Sequence, residues 1–278
     1  MALWIHPVFA FVFGLCVGSF LNVCAWRIPR GESVVSPPSK CPKCDRPIRW
    51  YENIPLLSWL ALRGRCRGCR EPISIRYFLI ELATGLLFAA VYVKVDSLGL
   101  PRVAFAAELA ASLAVASLAV VATVTDMEHR IIPNKTTYPV VFLGLVLAAI
   151  APENWGMKSP SAGFALSCAS VTVCAGAMLL VSIFGKMAFK KDALGLGDVK
   201  FVAAVAAALG PRAAFFTLFA GSVLGAAVGL VLMAVRKKGP KMAIPFGPAL
   251  AGGALLWIFI GREAWRAYFA LWEHFHGS

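Results

Sequence analysis

The stretch that decides the fold is Val103–Thr125, VAFAAELAASLAVASLAVVATVT, an apolar run whose one charge is Glu108 and which leads directly into Asp126. A hydrocarbon core about 30 Å thick takes roughly 20 helical residues to cross, so a run of this length reads as a membrane span. Working outward, Tyr77–Val95, Ala162–Gly185, Ala213–Val235 and Ile244–Gly261 have the same character, and Thr137–Ala151 and Val199–Gly210 are shorter versions of it. Trp4–Trp26 has no basic residue ahead of it and no small-residue cleavage site behind it, and Arg27 and Arg30 follow at once. It is expected to be a retained span with the N-terminus outside, not a removed signal peptide. A chain that is 59% hydrophobic and 15% charged is therefore expected to be all-α, a polytopic helical membrane protein of about eight transmembrane helices.

With the N-terminus outside, residues 27–76, 126–136, 186–200 and 236–241 fall on the cytoplasmic side and hold most of the chain's 27 Lys and Arg, as the positive-inside rule requires. The net charge of +13 is thereby assigned to orientation and to contact with anionic lipid headgroups. No nucleic-acid partner is expected. Three regions follow: a first helix over 1–26, a cytoplasmic loop domain over 27–76 and a membrane domain over 77–278.

Four of the eight cysteines, Cys16, Cys24, Cys168 and Cys174, lie inside apolar spans and read as small packing residues. The other four belong to an internal repeat in the loop, CPKCDRPI from Cys41 and CRGCREPI from Cys66, with the shared pattern C-x-x-C-x-x-P-I. Two such pairs have the reach to close a tetrahedral Zn²⁺ site on Cys41, Cys44, Cys66 and Cys69. Disulfides or a redox dithiol are the competing reading, disfavoured by a reducing cytoplasm and by the doubling of the motif. Four sulfur ligands leave no open position for water, so the zinc-ribbon-like site is expected to be structural.

Ionisable groups in or against spans are functional candidates by default. Asp126 closes one span and Asp198 opens another, both on the cytoplasmic side. The spans that follow, Thr137–Ala151 and Val199–Leu209, reach roughly 22 and 17 Å at ~1.5 Å per residue, short of the bilayer core. Both aspartate loops are thus expected to dip below the membrane surface, where irregular backbone survives only if it is buried in protein or lines a wet cavity. Two carboxylates at such a cavity suit one acid and one base acting on a water and a carbonyl. The plain alternatives are that Asp198, behind Gly195 and Gly197, caps a helix, and that Asp126 is an ordinary charge at a span end. Glu81 and Glu108 read as structural. No H-E-x-x-H and no G-x-S-x-G is present, and a glycine turn leading into a membrane span cannot build a dinucleotide fold.

At these residues the chain resembles the bacterial prepilin peptidases, membrane aspartic proteases that also methylate their product. GSFLNVCAWRIPRGESVVSPPSKCPKC from Gly18, SIRYFLIELATG from Ser74, TDMEHRIIPN, GLGDVK and IPFGPALAGG from Ile244 carry the resemblance, which covers nearly the whole chain. Phe78 departs from it, standing where a proline commonly follows the tyrosine. The resemblance implies that Asp126 and Asp198 are the catalytic pair, with Gly195 and Gly197 as the glycines of the G-x-G-D motif. It implies type IV prepilins or type II secretion pseudopilins as substrates, cut after a glycine at the cytoplasmic side of the inner membrane. The new N-terminal residue would then be N-methylated from S-adenosylmethionine, an activity linked to the four-cysteine loop. The pilin helix would reach the site laterally from the bilayer. The sequence singles out no methyl-donor site. Helix dipoles favour an ionised Asp198 at a helix start and a protonated Asp126 at a helix end. The rival from another class is a non-enzymatic scaffold or transporter component with a zinc-ribbon docking loop.

Overall fold

The computed structural model describes residues 5–189, 195–236 and 245–276. Trp4 and Ile244, where the first and last apolar runs begin, lie outside the described residues. Every regular element among the described residues is helical, and β-structure is limited to two isolated bridges, Lys40 with Pro47 and Arg65 with Pro72. The chain divides into two compact units, Met1–Val93 and Lys94–Ser278.

The first unit is built on α1 (Ile5–Arg27) and α3 (Ile75–Asp96), with a polar segment between them that contains the short α2 (Leu57–Ala61). Small residues let α1 and α3 meet backbone to backbone. A Cβ at Gly14 would stand 2.8 Å from the Thr84 carbonyl, and one at Gly18 would stand 2.9 Å from the Glu81 Cα. Close approach of this kind drives helix pairing where lipid supplies no hydrophobic contrast. Asn22, 1% exposed, donates to the Tyr77 carbonyl at 3.2 Å, so a polar residue near the end of the first span ties the two helices together.

The second unit comprises α4 (Arg102–His129), α5 (Asn134–Ile150), α6 (Pro160–Phe189), α7 (Leu196–Leu209), α8 (Pro211–Arg236), α9 (Gly247–Leu256) and α10 (Arg262–His276). A π-helical stretch, Trp257–Gly261, joins the last two. Here α7 is the axis, packed by α4, α5, α6, α8 and α9. Its residues Val199 and Phe201–Ala208 are buried, as expected of a helix that is apolar on every side. The alanine run makes it thin enough to be surrounded. Gly144 of α5 sits against the Ala207 backbone, and Ser167 of α6 donates to the Ala207 carbonyl at 3.0 Å.

Five helices among the described residues are both long and apolar enough to cross a membrane: His6–Arg30, Ile75–Asp96, Arg102–His129, Pro160–Phe184 and Pro211–Val235. The rest are shorter, with 17 residues in α5, 14 in α7 and 10 in α9. Glu108 is ion-paired with Arg262 at 2.6 Å, which satisfies a carboxylate inside a span. The amphipathic α10 was not anticipated from hydropathy, because its apolar and charged residues alternate by face and cancel in the mean.

Candidate active site and metal centre

The first candidate site forms where α4 ends. Asp126, 8% exposed, lies in its last turn. Arg130 takes a left-handed conformation (φ 56) and returns its N–H to the Asp126 carbonyl at 3.0 Å, closing the helix. Residues Ile131–Pro133 then lead into α5, with Pro133 immediately ahead of Asn134. On the facing segment Gly195 is the N-cap of α7 and Asp198 occupies its first turn. The Asp198 carboxylate accepts the Gly195 N–H at 3.2 Å, so Asp198 is not the capping residue itself but reaches back to the cap.

Two contacts hold the aspartate segments together. Gly197 lies on Ile132, where an added Cβ would come 3.1 Å from the Ile132 Cβ and 3.3 Å from its backbone nitrogen. Lys200 donates to the Asn134 side-chain oxygen at 2.8 Å. The carboxyl groups of Asp126 and Asp198 are near enough for direct charge–charge interaction. Gly195, Gly197, Asp126 and Asp198 are therefore brought into one place.

A third segment completes the site. The Gly247 N–H donates to Asp126 Oδ2 at 2.7 Å, a buried hydrogen bond at the first residue of α9. This corrects the electrostatic asymmetry expected from sequence. Asp126 is at the C-terminus of its own helix, but its carboxylate is also at the N-terminus of another, where a negative charge is favoured. Both aspartates thus accept a backbone N–H at a helix start. Gly247, Ile132, Asn134 and Lys200 were not anticipated as site residues. Pro248, one residue into α9, is the usual mark of a helix beginning and could have placed the donor at Gly247.

The second site lies in the first unit. The sequence repeat is a structural repeat: Cys41 N–H bonds to the Arg46 carbonyl at 2.9 Å and Cys66 N–H to the Glu71 carbonyl at 2.8 Å. Asp45 and Arg70 N–H close the same turns on the Cys41 and Cys66 carbonyls, both residues with positive φ. The four Sγ atoms of Cys41, Cys44, Cys66 and Cys69 all lie within 4.8 Å of one another. The Cys41–Cys69 and Cys44–Cys66 sulfurs are 3.8 and 4.0 Å apart. A tetrahedron with metal–sulfur distances of about 2.3 Å has edges of about 3.8 Å, so the donor set fits a metal ion. The Cys69 and Gly68 N–H groups point at the Cys66 sulfur and pull its thiol down. Glu52 fastens the two knuckles to each other through Arg46 at 2.8 Å and Arg67 at 3.4 Å.

A helical membrane chain with a buried and a half-buried carboxylate side by side in one unit and a four-thiol centre in the other has the build of a membrane aspartic hydrolase with an appended metal-binding loop. Residues 12–95 match the model of the bacterial peptidase A24 N-terminal domain, and residues 113–230 match that of the type IV leader peptidase family. A prepilin leader peptidase/N-methyltransferase of Myxococcus xanthus (strain DK1622) is 43% identical over 85% of this chain and 66% of its own length, so the chain spans just under two thirds of that relative. The protein of the same description from Aeromonas hydrophila is 36% identical over 91% of both chains. A type 4 prepilin-like proteins leader peptide-processing enzyme of Escherichia coli O78:H11 (strain H10407 / ETEC) is 35% identical over 91% of this chain and 94% of its own. The chain belongs to the type IV leader peptidase family. No solved structure matches it significantly.

Proposed function

We propose that this protein is a bifunctional prepilin leader peptidase, cleaving type IV prepilins or type II secretion pseudopilins after a glycine and then N-methylating the new N-terminus. The observation that carries the peptidase half is the meeting of Asp126 and Asp198, each on a backbone N–H at a helix start. Acid–base catalysis by the two carboxyls needs one ionised and the other protonated when water attacks. The ionised member takes a proton from the attacking water. The protonated member hydrogen-bonds to the scissile carbonyl and stabilises the charge that develops on its oxygen. The same proton then passes to the departing amine. Because both carboxylates have N–H support, the helix dipoles do not decide which aspartate starts as the base. Gly197 lets this segment lie directly on Ile132, and Gly195 keeps the space beside the Asp198 carboxylate free of a side chain.

In this reading α5, α7 and α9 with its π-helical extension are short spans that join the five long ones, giving eight. The N-terminus is outside, the aspartates face the cytoplasm of a bacterial inner membrane, and the pilin helix enters sideways from the bilayer. Zinc on the four cysteines is structural. S-adenosylmethionine is the methyl donor. The names of the relatives do not favour a scaffold or transporter component. Purified protein with a synthetic prepilin peptide, read by mass spectrometry, tests both halves. Asp126→Asn and Asp198→Asn are each expected to abolish cleavage while membrane insertion is retained, and processing that survives in both variants would sink the peptidase assignment.

A further inference from the structure

The first unit contains a cavity of about 370 Å³ beside the cytoplasmic-end half of α1, within the range of small-ligand sites. Cys16, Ser19, Phe20, Val23 and Arg27 face it from α1, a spacing that puts them on one side of the helix. The opposite wall is formed by the chain after Arg30 and by residues around Pro55. We propose that this cavity is the methyl-donor site, taking S-adenosylmethionine. The proposal rests on the bifunctional reading above and supplies the site that reading lacks.

The donor is a nucleoside joined to an amino acid through a sulfonium. It needs a cation for its carboxylate, an aromatic or apolar wall for its base and sulfonium, and a few polar groups for its hydroxyls and ammonium. The cavity offers these in order along α1. Arg27 stands at the polar end, its guanidinium oriented by donation to the Ser33 carbonyl at 3.0 Å, and an arginine fork suits a carboxylate. Phe20 and Val23 with Pro37 supply the apolar wall, and an aromatic face also attracts a sulfonium cation. Ser19 and Asn53 add a hydroxyl and a carboxamide.

The walls are held before any ligand arrives. Buried Glu81 accepts the Leu56 N–H at 2.8 Å and interacts with the Ser19 hydroxyl from behind. It thereby joins α1 to the Asn53–Pro55 wall, beside Leu56 in a positive-φ conformation. The Ser39 carbonyl accepts the Ile48 N–H at 2.9 Å, across the first cysteine knuckle, so the four-thiol centre braces the wall that carries Ser39. That connection gives the cysteines a part in methylation without contact with the donor. In the transfer, the lone pair of the neutral N-terminal amine forms the new N–C bond as the C–S bond breaks. The electron pair leaves on sulfur as neutral S-adenosylhomocysteine, and the methylated ammonium releases a proton to water.

The test is equilibrium binding of radiolabelled S-adenosylmethionine to the full-length protein in detergent, comparing wild type with Val23→Trp, which fills the cavity, and Arg27→Gln. Both variants are expected to raise Kd at least tenfold while bound metal and the thermal midpoint are kept, and an unchanged Kd in both overturns the site. Should the variants fail to fold, ultraviolet cross-linking of the labelled donor to the unaltered protein decides the matter. Label mapped to residues 16–55 supports the cavity, and label mapped to 94–278 overturns it. A wild type that methylates processed prepilin but is labelled in 94–278 loses this site and keeps the bifunctional reading. A wild type that neither binds donor nor methylates loses both.

Discussion

At the scale of single residues, the glycines around the carboxylates rank themselves by what a side chain would strike. A Cβ at position 247 would lie 2.8 Å from Asp126 Oδ2 and 2.9 Å from its Cβ, so Gly247→Ala must move the carboxylate or the start of α9. Gly197→Ala presses on the Ile132 backbone. At Gly195 the nearest atom is the Asp198 carboxylate oxygen itself, 3.2 Å away, so Gly195→Ala turns a reacting carboxylate. Steady-state cleavage should therefore fall tenfold or more, about 1.4 kcal/mol of transition-state stabilisation, in Gly247→Ala and Gly195→Ala, and less in Gly197→Ala, which presses on Ile132 alone. The aspartates were legible in the sequence because a charge at a span end stands out against its neighbours. The Gly247 N–H was not, since a backbone donor brought in from a distant segment leaves no mark on composition.

At the scale of elements, the cysteine loop and α7 make contrasting demands. The loop is small and polar, so its order depends on the four thiolates and on Glu52. The Arg49 N–H, followed by the Arg46 and Arg67 guanidiniums, holds the Glu52 carboxyl below the usual carboxylate range. A lowered native value means that its contribution is complete above the ordinary carboxylate range and is lost as pH falls through the lowered value. Acidification and Glu52→Gln should therefore both loosen the knuckles, read as faster metal release to a chelator, with Glu52→Gln doing so at neutral pH. Chelation should also increase hydrogen exchange at the Cys41, Asp45, Cys66 and Arg70 amides, whose bonds define the two turns. For α7 the demand is thinness. A side chain at Gly144 would fall 2.4 Å from the Ala207 carbonyl carbon, so Gly144→Val should cost on the order of 1–3 kcal/mol, visible as a lower thermal midpoint in detergent. The doubled C-x-x-C announced the loop in advance. The short apolar run behind Asp198 announced a helix there, but only packing reveals that it has five neighbours.

At the scale of the molecule, the helical class and the five long spans among the described residues could be read from hydropathy because lipid leaves a chain few other ways to satisfy its backbone. Ends and orientations were harder: the helix of the last apolar run, α9, begins at Gly247, and the amphipathic α10 is not marked by mean apolarity. The proposed orientation predicts that cysteines placed at Ser97 and Ser159 react with an impermeant maleimide added outside intact cells, and that one at Ser33 reacts only after the membrane is opened. The burial of α7 has a further consequence, for biogenesis. A segment of 14 residues is about 21 Å long at 1.5 Å per residue, too short to partition into lipid securely alone, and it presents no face that lipid needs to cover. It is joined to α8 by the tight turn at Gly210–Pro211. The pair is therefore expected to insert as a hairpin against α4, α5 and α6, with α9 still to come, so Asp126, Asp198 and the Gly247 N–H meet only when the second half of the chain has been made.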